Sequence, residues 1–393
     1  MYTSNMTSKE VKYQVQRQDY NRRKGKRFMV DTFTDTETGF DNDQEFEADG
    51  LDLSKEYRIE VVARMTKDIK EKINADPALM TKDEIRFLVS SYYGVQDLRK
   101  LLGNRISALK KQDEAASMFA FVLNGVKITE KNIQGLLAIA SGGRQIGQWA
   151  ESIRGIGPVI SAGLLAHIDI AKAPTVGHIW RFAGLDPTLD WLGKEKSSKL
   201  IKELTGGISG SASEEQFAQI ATEANRKADT LMEQVQRFAD STGKGDYLSK
   251  DNIIKTLSKR PYNADLKLIC WKAGESFVKV SNHEADVYGH VYASRKMWEI
   301  QNNESGKYAD QAAVKLERVG RSTDAYKSYV LGKLPPAHLH ARAKRYAVKL
   351  FLSHWHHVAY ELEYGTPPPK PYILDRPNSG HTDFIAPPNW PME

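Results

Sequence analysis

The pentapeptide Arg154-Gly155-Ile156-Gly157-Pro158 is the feature that most constrains how this chain can fold. Before it, residues 145–153 (QIGQWAESI) carry helical periodicity, and after it VISAGLLAHI begins directly behind a proline. Proline is accepted in the first turn of a helix, and glycine where the chain must turn sharply, so two short helices are expected to meet here through a tight turn. Ile156, Val159, Ile160, Leu164 and Ile168 then share one apolar face and belong in a core.

The start of the second helix is open to another use. First-turn amides have no intrahelical acceptor, and the helix dipole places positive potential beside them. The pattern is that of a helix-hairpin-helix, with Gly155 and Gly157 expected at positive φ to allow close approach. The backbone around Gly155, Ile156, Gly157 and Val159 would then converge on a phosphate, with Arg154 adding a charge-assisted contact. Such binding reads a nucleic-acid backbone and not its bases. The same residues also suit a plain helix connection inside a core, and that reading stands beside the first.

Charge along the 393 residues is unevenly placed around a net value of +6. Residues 1–28 carry eight Lys and Arg, among them Arg22, Arg23, Lys24, Lys26 and Arg27, against Glu10 and Asp19. Residues 31–52 then hold nine acids and no base. A basic arm followed by an acidic block suits a tail that meets polyanions, with a merely solvated leader as the alternative. No run of about 18 apolar residues is present, and the N-terminal stretch lacks a secretory apolar segment. A cytoplasmic protein without membrane contact is expected, nucleoid-associated if the source is prokaryotic. Cys270 is the lone cysteine, which excludes a disulfide within the chain and suits a small buried hydrophobe. No cofactor is expected.

Periodicity divides the chain into six segments. Residues 1–60 form the basic-then-acidic arm, short β or disordered, in which RFMVDTFT and YRIEVVA could be strands. Residues 61–150 form a long helical segment, 151–192 the hairpin core, 193–258 an inserted helical subdomain, 259–365 a helical C-terminal unit, and 366–393 a Pro-rich extended tail. In the long segment, Thr81 and Glu84 read as a capping box. Ile85, Leu88, Tyr92, Val95, Leu98, Leu102, Ile106 and Leu109 follow at spacings of three and four, the pattern of a bundle helix or a coiled coil, and a homodimer through this helix is expected. A shorter helix is expected to start near Thr129, and EEQFAQIATEANRKADTLMEQVQRFA reads as one polar, mostly exposed helix. The last long helix starts at Pro335 and Pro336 and ends at Gly365.

That last helix carries five histidines. His354, His357 and Glu361 share one face and are the weak candidates for a metal site, although no metal motif surrounds them and none is expected. His338, Arg342, Arg345 and Lys349 step along one side as a cationic stripe, backed by the apolar positions Ala347, Phe351, Trp355, Val358 and Leu362. Such a stripe suits a DNA-facing helix and equally a solvated one.

IRGIGPVISAGLLAHIDIAKAPTVGHIWRFAGLDP resembles the C-terminal domain of the insertion-sequence transposases that pair a DEDD nuclease-like half with a serine-bearing half and work with a guide (bridge) RNA. The match runs through the G-I-G-P turn to Ala183, Gly184, Leu185 and Pro187. Lys259, Asn263, Leu266 and Lys267 resemble a later basic run of the same family. The resemblance implies DNA as partner, with RNA a further option, and a place in transposition or recombination. Two parts of the family pattern are missing. Residues 1–80 show no nuclease-like half, and Leu192-Gly193 stands where the family has serine-glycine, leaving Ser197 and Ser198 as the nearest substitutes for a nucleophile. The reading is a mainly α DNA-binding protein without its own cutting activity, with a separate nuclease subunit as a possible partner. The alternatives are a helical scaffold, or a divergent recombinase or nuclease with an unrecognised site.

Overall fold

The computed structural model describes residues 80–112, 116–186, 191–206, 210–243, 247–369 and 384–392. The arm with its basic residues, acidic block and two expected strands lies outside the described residues. Within them every regular element is helical, and the one β feature is an isolated bridge between Ser211 and Ser249. The mainly α expectation holds.

Helix α1 (Lys82–Lys111) starts on the expected capping box: Thr81 Oγ1 accepts from the Glu84 amide at 3.2 Å, and the Thr81 amide donates to Glu84 Oε2 at 2.7 Å. Helix α2 (Ser117–Gly142) packs along it. Leu102 and Ile106 meet Leu123 near one end, and Arg99 Nε donates to Glu130 Oε2 at 2.6 Å further along, so the two helices run antiparallel. The expected helix start at Thr129 is corrected: that residue is inside α2, its hydroxyl donating to Gly125 O at 3.0 Å. The apolar run of residues 118–123 continues the helical face upstream, and Gly125 is tolerated within it.

Two short helices, α3 (Gln145–Ser152) and α4 (Pro158–His167), follow, and then α5 (Val176–Phe182). Next come α6 (Gly193–Thr205), α7 (Glu214–Glu223), α8 (Ala228–Thr242) and α9 (Lys250–Ser258), which share a core of their own built on Ile201, Phe217, Ile220, Leu231, Val235 and Ile253. The single exposed helix expected over residues 214–239 is therefore two helices with buried faces. Asn225, at φ +52, breaks them in a conformation that asparagine accepts more readily than most residues.

Helix α10 (Ala264–Val280) returns the chain to the main core, which α11 (Tyr288–Glu304) and α14 (Pro336–Tyr364) complete, while α12 (Ala309–Leu316) and α13 (Asp324–Val330) pack in a smaller cluster around Tyr308, Ala312, Tyr329, Leu334 and Leu339. Proline opens α14, and Gly365 closes it at φ +68, the left-handed residue a helix end favours. Phe351 of α14 stacks on Trp149 of α3 at 6.0 Å between centroids and meets Phe277 of α10 and Tyr288 of α11 edge-on. Each of these four rings is fully buried. Burial of one such ring stabilises by roughly 1.5–3 kcal/mol, so this cluster fixes the short helices against α14.

Residues 384–392 fold back over that core. Trp149 Nε1 donates to Pro388 O at 2.8 Å, Asn389 Nδ2 to Ser152 O at 3.2 Å, and Trp390 Nε1 to Glu361 Oε2 at 2.6 Å. This part of the expected extended tail is tied to α3 and α14. Among the described residues no helix is long and apolar enough to cross a membrane.

Candidate nucleic-acid interface

Between α3 and α4 the turn is closed by two backbone bonds, Ile153 N to Ala150 O at 3.1 Å and Ile156 N to Ile153 O at 3.0 Å. Ile156, Val159, Leu164 and Ile168 are buried, and Ile160 packs against the same core from a half-buried position. The side chains of Ile156 and Val159 are thus core, and the amide of Ile156 is already bonded. What remains at the surface is backbone further on.

The two glycines differ. Gly155 has φ +91, and a Cβ placed there would lie 3.1 Å from Ser276 Oγ and 3.2 Å from Val280 Cγ2, both on α10. Ser276 Oγ also donates to Gly155 O. Positive φ and close approach are therefore a property of Gly155, directed at a helix of the protein itself. Gly157 has φ −101 and ψ 176, and a Cβ there would meet nothing within 4 Å. The expectation of positive φ at Gly157 is corrected: it is an extended N-cap residue with open space beside it.

With glycine at the cap, α4 has no side-chain acceptor for its first amides. Pro158 has no N–H, and the first backbone bond into the helix is Ser161 N to Gly157 O at 3.0 Å. The amides of Gly157, Val159 and Ile160 have no backbone acceptor among the described residues. Arg154 is exposed beside them, with no ion pair or hydrogen bond among the described residues. Lys279, exposed on the last turn of α10, precedes the Val280 that touches Gly155. Sequence reading missed Lys279 and the anchor Ser276. Neither stands out in ESFVKV, and only the packing of α10 on the turn marks them.

Two cations of the α14 stripe are half-buried and engaged within the protein. Arg342 Nε donates to Glu299 Oε2 at 2.8 Å, and its guanidinium lies 4.6 Å from the Tyr308 ring centre. Glu299, 1 % exposed, also accepts from Arg295 at 3.0 Å and Tyr308 at 2.5 Å. Burial pushes the Glu299 pKa up, and the hydrogen bonds from Tyr308, Arg342 and Arg295 with the Arg342 charge more than offset that, so it titrates below its ordinary value. Lys349 sits over the Trp180 ring at 5.0 Å, and burial lowers its pKa. His338 is half-buried and Arg345 exposed. Arg342 and Lys349 are thus partnered inside the protein, and Arg345 is the exposed member of the stripe.

The histidines of α14 also have partners within the protein. Ile385 O accepts from His354 Nε2 at 2.9 Å, which leaves Nδ1 to accept from the Tyr288 hydroxyl at 2.7 Å. Burial holds the pKa of His354 down at about 4. His357 Nε2 lies 3.0 Å from Glu361 Oε1, while Trp390 bonds the other carboxylate oxygen. Among the described residues no group of three or more ligating side chains could hold a metal.

Neither substitute serine has the setting of a nucleophile. Ser197 is fully buried on α6, its hydroxyl donating to Gly193 O at 2.7 Å, and Ser198 follows it half-buried with no basic partner in hydrogen-bond contact. Cys270 is buried, with its thiol pushed up to about 12 by desolvation.

Residues 147–220 match the family model described as Transposase IS116/IS110/IS902 family. The match opens in α3, takes in the turn with Gly155 and Gly157, and ends in α7, so the resemblance read at residues 153–187 lies inside it. This stretch is transposase-like, which supports a transposase-related role. No curated protein and no solved structure matches the chain.

Proposed function

We propose that the chain binds the DNA backbone through the turn between α3 and α4, used as a helix-hairpin-helix, and acts in transposition or recombination, or in a derived role without cutting a strand itself. The observation that carries this is the uncapped start of α4. The amides of Gly157, Val159 and Ile160 lack a backbone or side-chain cap acceptor among the described residues, Arg154 is exposed three residues before Gly157, and a Cβ at Gly157 would meet nothing within 4 Å. A phosphate satisfies such amides and is favoured by the dipole and by the arginine charge. Lys279, beside the turn on α10, is a further cation of this surface, while exposed Arg345 on α14 and the arm residues Arg22, Arg23, Lys24, Lys26 and Arg27 add sequence-independent attraction through counterion release.

In this reading the protein works as a homodimer, and any strand cleavage falls to a separate nuclease subunit. An electrophoretic shift series at several salt concentrations tests it, with duplex, single-stranded and branched DNA and structured RNA as probes. Duplex binding that weakens steeply with salt and is indifferent to sequence is expected. A chain that shifts none of these probes at low salt is a scaffold, and the proposal fails. A preference for structured RNA over every DNA probe replaces the partner.

A further inference from the structure

The outer face of α1, turned away from α2, is exposed at Gly94, Asp97, Leu98, Leu101, Asn104 and Ala108. Leu98 is 44 % exposed and Leu101 58 %. A shallow groove of about 520 Å³ runs along this face, lined by Asp97, Lys100, Leu101, Asn104, Arg105 and Ala108. Neither Asp97 nor Arg105 has an ion-pair partner among the described residues, and Asp97 acts on Lys272 only at longer range.

The order of these residues is self-complementary about Leu101. Asp97 stands four residues before it and Arg105 four after; Gly94 stands seven before and Ala108 seven after. A half-turn about an axis through Leu101, perpendicular to α1, brings each residue before Leu101 opposite its counterpart after it. The Arg105 guanidinium then reaches Asp97 of the second copy, and the pair is made twice. Glycine and alanine let the backbones approach, and a Cβ at Gly94 would meet nothing within 4 Å in the single chain. The same half-turn carries Phe87, 71 % exposed and fourteen residues before Leu101, towards the far end of the other copy's helical hairpin. There Met118 is 80 % exposed and Phe119 38 %. Parallel pairing in register sets Asp97 against Asp97 and Arg105 against Arg105, which repel.

We infer that α1 pairs antiparallel with α1 of a second copy of this chain, with Leu101 on the two-fold axis and Asp97–Arg105 ion pairs on either side of it. This rests on the homodimer of the proposed function and gives it a register. It is independent of whether the turn at Gly157 binds phosphate.

The test uses the full chain in analytical ultracentrifugation at micromolar concentration, with circular dichroism confirming that each variant keeps the parent's helicity. The parent is expected to sediment as a dimer. Asp97→Arg and Arg105→Asp each oppose like charges, so each raises the dissociation constant at least about tenfold. The double variant D97R/R105D restores pairing. Leu101→Cys cross-links the two copies on mild oxidation. A monomeric parent, as expected if another segment of the same chain covers this face, overturns the inference. Single variants that still pair, or a double variant that does not recover, overturn it as well. Duplex binding followed on the same samples reports the turn separately, so failure of one reading is told apart from failure of the other.

Discussion

The turn at residues 154–160 and the stripe on α14 look alike as sequence, since both offer a cation to an anionic partner, yet their cations end in different environments. At the turn, Arg154 is exposed and three amides lack an acceptor among the described residues. On α14, Arg342 is held by Glu299 and Tyr308, and Lys349 lies over Trp180. The difference lies in what surrounds each helix. The start of α4 is at the edge of the core, where glycine and proline leave backbone uncovered, whereas α14 runs through the middle with helices on several sides. Cations on a central helix find acids and rings before they find solvent. Spacing alone places a residue on a face, and the neighbours decide what that face meets.

Exchanging Arg342 for methionine tests the internal side of this contrast and carries the largest expected effect. It leaves Glu299 buried with one cation fewer, and a loss of about 2–4 kcal/mol in urea unfolding is expected, with DNA binding of the folded protein retained. Normal stability with lost binding would reverse the roles of the two regions. Gly155→Val comes next. It forces a β-branched residue to φ +91 against Ser276 and Val280, so a loss of about 2–3 kcal/mol and a lower Tm are expected.

A pH titration sharpens the internal side further. The pKa of His354 is about 4 in the folded protein against an ordinary 6.5, so the unfolded chain takes up a proton more readily over that interval. This contribution to stability is complete above about pH 6.5 and falls as pH drops towards 4, by roughly 1.4 kcal/mol per unit at most. His354→Gln should flatten that part of the profile, and an unchanged slope would place the dependence elsewhere. On the outward side, Arg154→Ala is expected to leave Tm within error and to weaken duplex binding by roughly 1–2 kcal/mol, read from the dissociation constant.

Local signals were the legible ones. The capping box at Thr81, the proline that opens α4 and the glycine that ends α14 act within a few residues, so their effect is written where it occurs. The conformation of the two turn glycines was not legible. Both permit positive φ, and only the approach of α10 shows that Gly155 uses it while Gly157 does not. The same holds for Leu98, which fits the helical stripe yet faces solvent because α2 covers the side of α1 that carries Leu102 and Ile106. The fates of Arg342, His354 and Ser197 depended on Glu299, Ile385 and Gly193, and nothing local to those three residues names the internal partner.

The open space beside Gly157 makes the central claim directly testable. Threonine caps a helix about as well as glycine, and its hydroxyl accepts from the second or third amide, here Val159 or Ile160. Gly157→Thr therefore occupies the amides proposed to hold phosphate without straining the backbone. Duplex affinity and Tm measured together give the answer. The account predicts a Tm equal to the parent's or slightly higher, with duplex binding weakened about tenfold or more. An equal Tm with unchanged affinity would contradict it, and the turn would then be a connection between two helices and nothing else.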